Sequence, residues 1–549
     1  MTDTVVWTLT DEAPALASYS LLPIIRGFLR SAGLEVTTAD ISLAGRILAQ
    51  FPEQLRPEQR VPDYLAELGQ LTGRPEAAII KLPNISASVP QLKAAIAELQ
   101  SQGFDVPDYP DQPATDEERE IVRRYSRVLG SAVNPVLRQG NSDRRAPASV
   151  KDFARRHPNR LSPWDADSPA RVVTMADGDF FGNEQSQTMA ADSRLDITLH
   201  TQDQPISLAT GVQVLAGEIV DTTFLSVRAL DDFYREQIQT AKDADLLASL
   251  HLKATMMKVS DPVMFGHAVQ VFFEPFLQAH PDLADGFDPQ QGLGALKEAI
   301  VTLAPGPQAA AQADLADCFR QRPALAMVDS ARGVTNLDAP NLVIIDASLP
   351  VVIRDGGCMW NADGRLQPTL AMVPDRCYGP MYQTVFEDCK AHGALDPATM
   401  GSVPNVGLMA QQAEEYGSHA TTFIVPADGI VVVTDADGNQ ISQHHVQAGD
   451  IWRMSRVRDL PVRDWVRLAV DRARATGAPA VFFLDAERPH DAEVVVKVRR
   501  YLPEHDISGL DIRILAPTQA IQLCLDRARQ GQDTISVTGN VLRDYLTDL

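Results

Sequence analysis

The sequence predicts a two-domain α/β protein, with a smaller parallel-sheet domain of βαβ units and a larger, duplicated α/β domain that carries β-hairpin insertions. Three observations predict this fold class. Strand and helix patterns alternate over the first 142 residues, a spaced internal repeat runs through the remainder, and 549 residues exceed what one hydrophobic core usually holds. We therefore expect the domains to comprise residues 1–142 and 143–549.

The first domain alternates short β-branched runs with amphipathic segments. The pattern predicts strands at 5–9, 34–41 and 77–82 and helices at 15–29 and 90–102. Ligands on such sheets bind beyond the carboxyl ends of the strands. Asn84 and Ser86 follow the third strand, so they could donate hydrogen bonds to a nucleotide or a phosphate. A local turn stabilised by the same side chains is the simpler alternative.

A loop rich in Gly, Pro and Asn follows, and it concentrates arginine in an otherwise acidic chain. Ser131, Asn134, Arg138, Arg144 and Arg145 all lie between positions 131 and 145. Arginine recognises carboxylates and phosphates bidentately. The loop therefore indicates either a site for a polyanionic small molecule or a surface salt-bridge cluster.

The second domain shows an internal repeat. Residues 181–184 (Phe-Gly-Asn-Glu) resemble residues 416–419 (Tyr-Gly-Ser-His), and residues 216–219 (Ala-Gly-Glu-Ile) resemble residues 448–451 (Ala-Gly-Asp-Ile). Strand patterns with hairpin turns follow the first pair, and a helix and then a strand follow the second. Because the separations stay at 232 to 235 residues, we expect a duplicated unit.

Three residues of this domain are candidates for chemistry, each with a simpler alternative. Lys253 ends a strand-like run, where a partly buried lysine could exchange protons and an exposed edge lysine is commoner. Residues 342–345 predict a buried strand that ends at Asp346, a candidate metal ligand or helix N-cap. Tyr416 lies in a donor-rich loop, where it could also be a half-buried packing residue.

The last sixteen residues predict a buried strand at 534–537, a tight turn and a helix from 541 to 549. Asp544 and Asp548 would share one face of this helix, with Cβ atoms roughly 6 Å apart. A hard divalent cation would relieve their repulsion, and Arg543 could hold an anionic substrate beside it. A solvated acidic face is the alternative. The helix has no stop signal, so we expect the full protein to continue past Leu549.

Composition excludes several classes of protein. The net charge of −23 disfavours non-specific binding to nucleic acid or to anionic membranes. The five cysteines have no C-x-x-C spacing, so neither a disulfide framework nor a zinc site is indicated. The N-terminus lacks the apolar run of a signal peptide, and no run approaches the about 18 apolar residues of a membrane span. We therefore expect a cytoplasmic protein.

Together these segments resemble the monomeric NADP-dependent isocitrate dehydrogenases of bacteria, over essentially the whole chain. The segments that carry the resemblance are KLPNISAS at 81–88, GSAVNPVLR at 130–138, GNSDRRAP at 140–147, LHLKATMMKVSDP at 250–262, MGSVPNVGLMAQ at 400–411, EEYGSH at 414–419 and DTISVTGNVLRDYLTDL at 533–549. The resemblance implies an isocitrate/isopropylmalate dehydrogenase-like fold. It also implies oxidative decarboxylation of isocitrate to 2-oxoglutarate and CO₂, with reduction of NADP.

The resemblance assigns roles to residues of this sequence. It implies that Mg²⁺ or Mn²⁺ binds to Asp346, Asp544 and Asp548. It implies that the carboxylates of isocitrate bind to Ser131, Asn134, Arg138, Arg144 and Arg543. It implies that the nicotinamide end of NADP contacts Asn84, Ser86 and Asn134. Lys253 and Tyr416 form the implied proton-transfer pair, with Lys253 favoured as base and Tyr416 as acid, although the reverse assignment stays open.

Members of the family continue past position 549 with a glycine-rich segment that grips the adenosine 2′-phosphate and completes the first domain. The resemblance therefore implies an incomplete sheet in the first domain. Three interpretations follow: a monomeric enzyme truncated at its C-terminus, one half of a split enzyme complemented by a C-terminal chain, or a non-catalytic fragment that binds metal and tricarboxylate. The sequence does not distinguish Mg²⁺ from Mn²⁺.

Overall fold

The structure is a computed structural model of the chain. It describes residues 4–549 except 73, 75, 85, 86, 88, 111–114, 130, 131, 138–140, 159, 160, 254–256, 258, 409–420, 540, 541, 543–545 and 547–549. The chain divides into two compact units, residues 1–140 and residues 141–549. No helix within the described ranges combines the length and the hydropathy needed to cross a bilayer.

The strands are short and belong to five sheets. They are β1 (Thr4–Leu9), β2 (Glu35–Asp40), β3 (Ala78–Ile80), β4 (Ser142–Arg144), β5 (Arg171–Val173), β6 (Gln185–Thr188), β7 (Ser193–His200), β8 (Ile206–Val214), β9 (Ile219–Leu225), β10 (Leu247–Leu250), β11 (Met327–Asp329), β12 (Val334–Thr335), β13 (Cys358–Trp360), β14 (Leu366–Met372), β15 (Asn405–Gly407), β16 (Thr422–Ile424), β17 (Gly429–Thr434), β18 (Gln440–Val446), β19 (Ile451–Val457), β20 (Ala480–Phe483), β21 (Ile512–Leu515) and β22 (Ile535–Thr538).

The helices alternate with these strands along the chain. They are α1 (Glu12–Ser20), α2 (Leu22–Ser31), α3 (Leu43–Gln50), α4 (Tyr64–Leu71), α5 (Val89–Ser101), α6 (Asp116–Ser126), α7 (Val133–Leu137), α8 (Ala148–Arg156), α9 (Val227–Asp243), α10 (Ser260–Phe272), α11 (Glu274–Ala279), α12 (Pro281–Gly286), α13 (Leu293–Val301), α14 (Pro305–Gln321), α15 (Ile345–Arg354), α16 (Gly379–His392), α17 (Asp459–Thr476), α18 (Pro489–Tyr501) and α19 (Pro517–Arg529).

The first unit contains a parallel three-stranded sheet in the order β2-β1-β3, which confirms the predicted strands. The predicted single helix at 15–29 was wrong, because two helices, α1 and α2, meet at Leu21. Pro23 occupies the first turn of α2 and has no amide hydrogen to donate to the carbonyl of Tyr19. A proline in this position starts a new helix more readily than it continues an old one.

The second unit is duplicated, as the repeat predicts. Two four-stranded antiparallel sheets have the symmetric orders β16-β19-β9-β6 and β18-β17-β7-β8. At the centre of the first sheet Thr222 lies opposite Met454, and at the centre of the second Leu199 lies opposite Val431. Both pairs join positions 232 residues apart. A local two-fold axis requires antiparallel pairing between equivalent residues. The two halves therefore pair with each other through these strands.

The turns that precede the central strands repeat the same local chemistry. Gly217 and Gly449 adopt φ of 79° and 91°, a region that favours glycine. The next residues, Glu218 and Asp450, each accept the amide hydrogen of the residue three positions earlier, at 2.8 Å in both halves. The sequence repeat is therefore a repeat of structure and not of composition alone.

Each half also contributes a parallel sheet, and the three central strands of the two sheets are arranged in the same order. Strands β10-β14-β5 correspond to β20-β22-β15, and every residue of β10, β20 and β22 is buried. The antiparallel strands β13, β11 and β12 extend the first sheet, and β21 and the antiparallel β4 flank the second. Strand β22 confirms the predicted strand at 534–537.

The predicted buried strand at 342–345 was wrong. A short 3₁₀ helix, Pro340–Val343, leads into α15, and Asp346 lies in the first turn of that helix. The residues that α15 buries are Ile345, Leu349 and Val352, a spacing typical of one helix face. Four apolar residues fit a strand and a helix equally well, and only the longer window distinguishes them.

A buried ion pair joins the two halves of the second unit. Arg488, just before α18, donates two hydrogen bonds to Glu184, at 2.8 and 2.7 Å. The side chains are 5% and 0% exposed. The amide of His490 also donates to Glu184, and the His490 ring contacts Asp221 of β9 at 2.8 Å. The start of α18 is thus fixed to the sheet of the other half by buried charges.

Replacing Glu184→Gln is expected to destabilise the second unit by about 3–5 kcal/mol, because Arg488 loses its bidentate carboxylate inside the protein. The matched control is Asp511→Asn, which breaks the exposed Arg513–Asp511 pair and is expected to cost under about 1 kcal/mol. Urea unfolding followed by tryptophan fluorescence measures both. Equal losses of unfolding free energy in the two variants contradict a contact between the halves that depends on buried charge.

Candidate functional site

The candidate site lies at the carboxyl end of β10. The chain leaves this buried strand through His251 and Leu252 and reaches Lys253. His251 still continues the sheet, since its amide donates to the carbonyl of Met372 at 3.0 Å. Polar side chains at the carboxyl ends of parallel strands face the edge where ligands bind in α/β proteins.

Two backbone hydrogen bonds attach this strand end to the start of α15. The amide of Leu252 donates to the carbonyl of Val343 at 2.7 Å, and the amide of Ile345 donates to the carbonyl of Leu252 at 2.8 Å. This single parallel bridge pairs Leu252 with Ile344, so Lys253 follows the bridge by one residue and Asp346 follows it by two. The neighbours that it brings together are Lys253 and Asp346.

Lys253 and Asp346 form an ion pair. Lys253 Nζ donates to Asp346 Oδ2 at 2.8 Å, and the side chains are 2% and 26% exposed. A buried ammonium group needs an anionic or hydrogen-bonding partner, because removal from water without one is costly. The partly exposed carboxylate connects the buried lysine with solvent. The pair therefore combines a buried amine with a carboxylate that solvent can reach.

A second acidic residue holds the backbone of Lys253. Asp261, 2% exposed in the first turn of α10, accepts the Lys253 amide hydrogen at 2.8 Å and the Ser260 hydroxyl hydrogen at 2.8 Å. Burial raises the pKa of Asp261 to about 6, against the opposing effects of these bonds and of Arg453, while nearby Asp375 raises it further. Sequence reasoning missed Asp261, although an acid in the first turn of an apolar helix is a signal that could have found it.

Arg453 of β19 is buried near these acids and stacks on Phe180, 3.6 Å from the ring centre. It also lies 3.8 Å from Asp375. Burial is the main reason that the pKa of Asp375 is raised, with the charge of Asp179 next. Since β19 belongs to the second half of the duplication, the surroundings of Lys253 are built from both halves.

The other predicted residues are distributed as follows. Arg144 is exposed on the edge strand β4, opposite Asn405 of β15, while the neighbouring Arg145 pairs with Asp143 at 2.7 Å. That pair is the salt-bridge alternative for part of the arginine loop. Asn84 belongs to the first unit, where it is half-buried and follows the carboxyl end of β3. Asn134 belongs to α7, and its side chain lies outside the described part.

Seven predicted site residues lie outside the described residues. They are Ser86, Ser131, Arg138, Tyr416, Arg543, Asp544 and Asp548. Two residues near the last three are described: Leu542 and Leu546 are buried in the hydrophobic cluster that also contains Ile345 and Leu349 of α15. In the described ranges, no group of three or more His, Cys, Asp or Glu side chains is arranged to hold a metal ion.

Comparison with known proteins identifies relatives over almost the whole chain. A family model described as monomeric isocitrate dehydrogenase matches residues 4–549. The isocitrate dehydrogenase (NADP) of Azotobacter vinelandii is 56% identical over 551 residues, which cover 100% of this chain and 74% of that protein. The enzyme of the same name from Corynebacterium glutamicum is 54% identical over 99% of this chain and 74% of its own length.

Two further comparisons differ in weight. Isocitrate dehydrogenase (NADP) 2 of Mycobacterium tuberculosis is 52% identical over 100% of this chain and 74% of its own length. The crystal structure of an isocitrate dehydrogenase from Ostreococcus tauri, in complex with isocitrate and magnesium(II), matches 97% of this chain and 93% of its own. Its identity is 12% and its TM-score 0.23, which is too low to support an argument.

The raised pKa of Asp261 predicts a pH-dependent cost to the fold. The folded state binds this proton more tightly than the unfolded state, so the contribution to stability is present below the ordinary pKa of 3.8 and is lost as pH rises through about 6. Asp261→Asn lacks that loss. From pH 4 to pH 7 the unfolding free energy of the variant, relative to the parent, is expected to rise by about 3 kcal/mol.

Denaturant unfolding at a series of pH values measures this difference. Asp459→Asn is the control with the opposite sign: burial raises the pKa of Asp459, but hydrogen bonds from Lys497 and Tyr501 and the nearby charges outweigh it and lower the pKa. The contribution of Asp459 is therefore lost as pH falls. A difference between Asp261→Asn and the parent that stays constant from pH 4 to pH 7 contradicts the prediction.

Proposed function

Because the chain belongs to the monomeric isocitrate dehydrogenase family, we propose that Lys253 and Asp346 form the centre of its active site. The chain is an NADP-dependent enzyme that oxidatively decarboxylates isocitrate to 2-oxoglutarate and CO₂. The observation that carries the assignment of the site is the 2.8 Å contact between the buried Lys253 ammonium and the partly exposed Asp346 carboxylate. This contact lies at the sheet edge where α/β enzymes bind ligands.

We propose that Asp346 binds Mg²⁺ or Mn²⁺ together with Asp544 and Asp548. Three carboxylates are a donor set that suits either hard cation. The burial of Leu542 and Leu546 beside Ile345 supports a position of the last segment near α15. Bound there, the ion would lower the pKa of the substrate 2-hydroxyl and polarise the ketone that replaces it.

The proposed proton transfers involve Lys253 and Tyr416. Lys253, in its neutral amine form, takes the proton of the 2-hydroxyl directly or through water and becomes the ammonium, while a hydride leaves C2 for NADP⁺. The resulting β-keto acid, oxalosuccinate, loses CO₂, and Tyr416 protonates C3. Burial of the Lys253 stem to 2% exposure supports this role, since it holds the amine in one orientation and limits its contact with water.

The remaining predicted residues bind the two substrates in this proposal. The carboxylates of isocitrate are held by Ser131, Asn134, Arg138, Arg144 and Arg543, and the exposure of Arg144 leaves its guanidinium accessible to an anion. NADP contacts Asn84, Ser86 and Asn134. The position of Asn84 beyond the carboxyl end of a parallel strand supports its part in cofactor binding.

We also propose that the protein acts as a monomer in the cytoplasm. The family model that matches the chain describes monomeric enzymes. All five cysteines are free thiols, which is the usual state of cysteine in a reducing compartment.

Replacing Lys253→Met is expected to lower kcat by about 10²–10⁴-fold, because a positioned acid or base contributes that much to a proton transfer. NADPH formation from isocitrate with Mn²⁺ measures the loss. The matched control is Lys242→Met on the exposed end of α9, which is expected to keep the parent rate. Parent-like turnover by Lys253→Met, in a folded variant, contradicts the proposed role.

A further inference from the structure

The side chain of His251 is fully buried and both of its ring nitrogens are hydrogen-bonded. Nδ1 lies 2.7 Å from the hydroxyl of Ser348, and Nε2 lies 2.9 Å from the hydroxyl of Ser249. His251 precedes Lys253 by two residues, and Ser348 follows Asp346 by two. The contact between His251 and Ser348 therefore lies beside the Lys253–Asp346 pair, at the same backbone bridge.

The hydrogen bonds around this ring can be assigned one direction. The Ser348 hydroxyl donates its single hydrogen to the Ile344 carbonyl at 2.9 Å, so it accepts the hydrogen of His251 Nδ1. His251 Nε2 is then the acceptor of the Ser249 hydroxyl, for which it is a stronger partner than Met359 Sδ at 3.2 Å. The Asn336 amide donates in turn to Ser249 at 3.0 Å.

A neutral imidazole fits this series of hydrogen bonds, because it has one donor and one acceptor. Burial lowers the pKa of His251 to about 3, so the ring is neutral at neutral pH. The series of hydrogen bonds ends at the carbonyl of Ile344, the residue immediately before α15. It therefore fixes both the strand end that carries Lys253 and the helix start that carries Asp346.

The duplicated half offers an internal comparison. Residues 250–253 (Leu-His-Leu-Lys) correspond to residues 482–485 (Phe-Phe-Leu-Asp), so Phe483 replaces His251 and Asp485 replaces Lys253. Phe483 is 1% exposed, in the hydrophobic cluster that also contains Ile345 and Leu349 of α15. The fold thus accommodates an apolar ring at this position. The histidine occurs in the half that carries Lys253.

We propose that His251 is a positioning residue for the reaction, which through Ser348 holds the Asp346 carboxylate in place beside Lys253. This inference rests on the proposed role of Asp346 as a metal ligand. Replacing a residue that orients a metal ligand without contacting the metal commonly lowers metal affinity or activity by about 10–100-fold. The link between His251 and Ser348 acts across two segments that are far apart in the chain, 97 residues in sequence.

Four variants test the link. His251→Gln places its amide near the position of Nε2, and Ser348→Ala removes the acceptor of Nδ1, so both break the link. They are expected to weaken Mn²⁺ binding in the presence of isocitrate by about 10–100-fold. His251→Asn keeps a donor near Nδ1 and is expected to lose less than His251→Gln. Phe482→Leu, in the core of the other half, is expected to change stability without changing Mn²⁺ affinity.

Electron paramagnetic resonance of free Mn²⁺ measures these affinities without turnover. The double variant His251→Gln/Ser348→Ala is expected to bind Mn²⁺ as weakly as the weaker single variant, because one link cannot be lost twice. Multiplied losses in the double variant overturn the proposal. An equal loss of Mn²⁺ affinity in Phe482→Leu also overturns it, since any core change would then suffice.

Asp346→Asn separates this inference from the proposed function. If Asp346→Asn loses Mn²⁺ binding while Ser348→Ala keeps it, the positioning role is wrong and the metal site stands. If Asp346→Asn binds Mn²⁺ as the parent does, the metal site itself is wrong and the positioning role falls with it. Loss in Asp346→Asn, His251→Gln and Ser348→Ala, with retention in Phe482→Leu, is the result that the proposal predicts.

Discussion

The Lys253 ammonium is buried, and the surrounding structure depends on compensating that charge. A lysine at 2% exposure requires a hydrogen-bonded partner inside the protein, and Asp346 supplies it at 2.8 Å. The partner comes from a segment 93 residues later, so the fold must bring two distant chain segments into register. One backbone bridge, Leu252 to Val343 and Ile345, provides that register. The site is therefore a consequence of how β10 and α15 meet.

Duplication explains how a symmetric framework carries an asymmetric site. In both halves a backbone amide after the parallel strand, that of Lys253 or Asp485, donates to a buried acid at the start of the next helix. Equivalent positions then carry different charges: Asp221 of β9 pairs with His490, whereas Arg453 of β19 lies among the acids near Lys253. Beside His490, Arg488 of the second half and Glu184 of the first half neutralise each other. The framework repeats, and the charges on it decide which half can hold a ligand.

Local patterns predicted most of the framework, and tertiary contacts decided the rest. The strands, the hairpin turns and the duplication were predictable because alternation, Asp-Gly pairs and a constant separation are local signals. The apolar run before Asp346 was misread as a strand, since its helical spacing appears only when Leu349 and Val352 are included. Burial of Asp261 and His251 is set by packing partners distant in the chain, so their importance was not visible in the sequence. The positions of Lys253 and Asp346 were predicted separately, but their contact was not.

We propose that Asp346, beside Lys253, is where the enzyme holds its divalent cation. Anomalous X-ray scattering from crystals grown with Mn²⁺ and isocitrate tests it most directly, because the metal position is observed without reference to activity. We expect an anomalous peak within bonding distance of the Asp346 carboxylate, about 2.1 Å, on the side away from the buried Lys253 stem. An ordered Mn²⁺ and isocitrate bound elsewhere, with Asp346 making no contact to the metal, would contradict it.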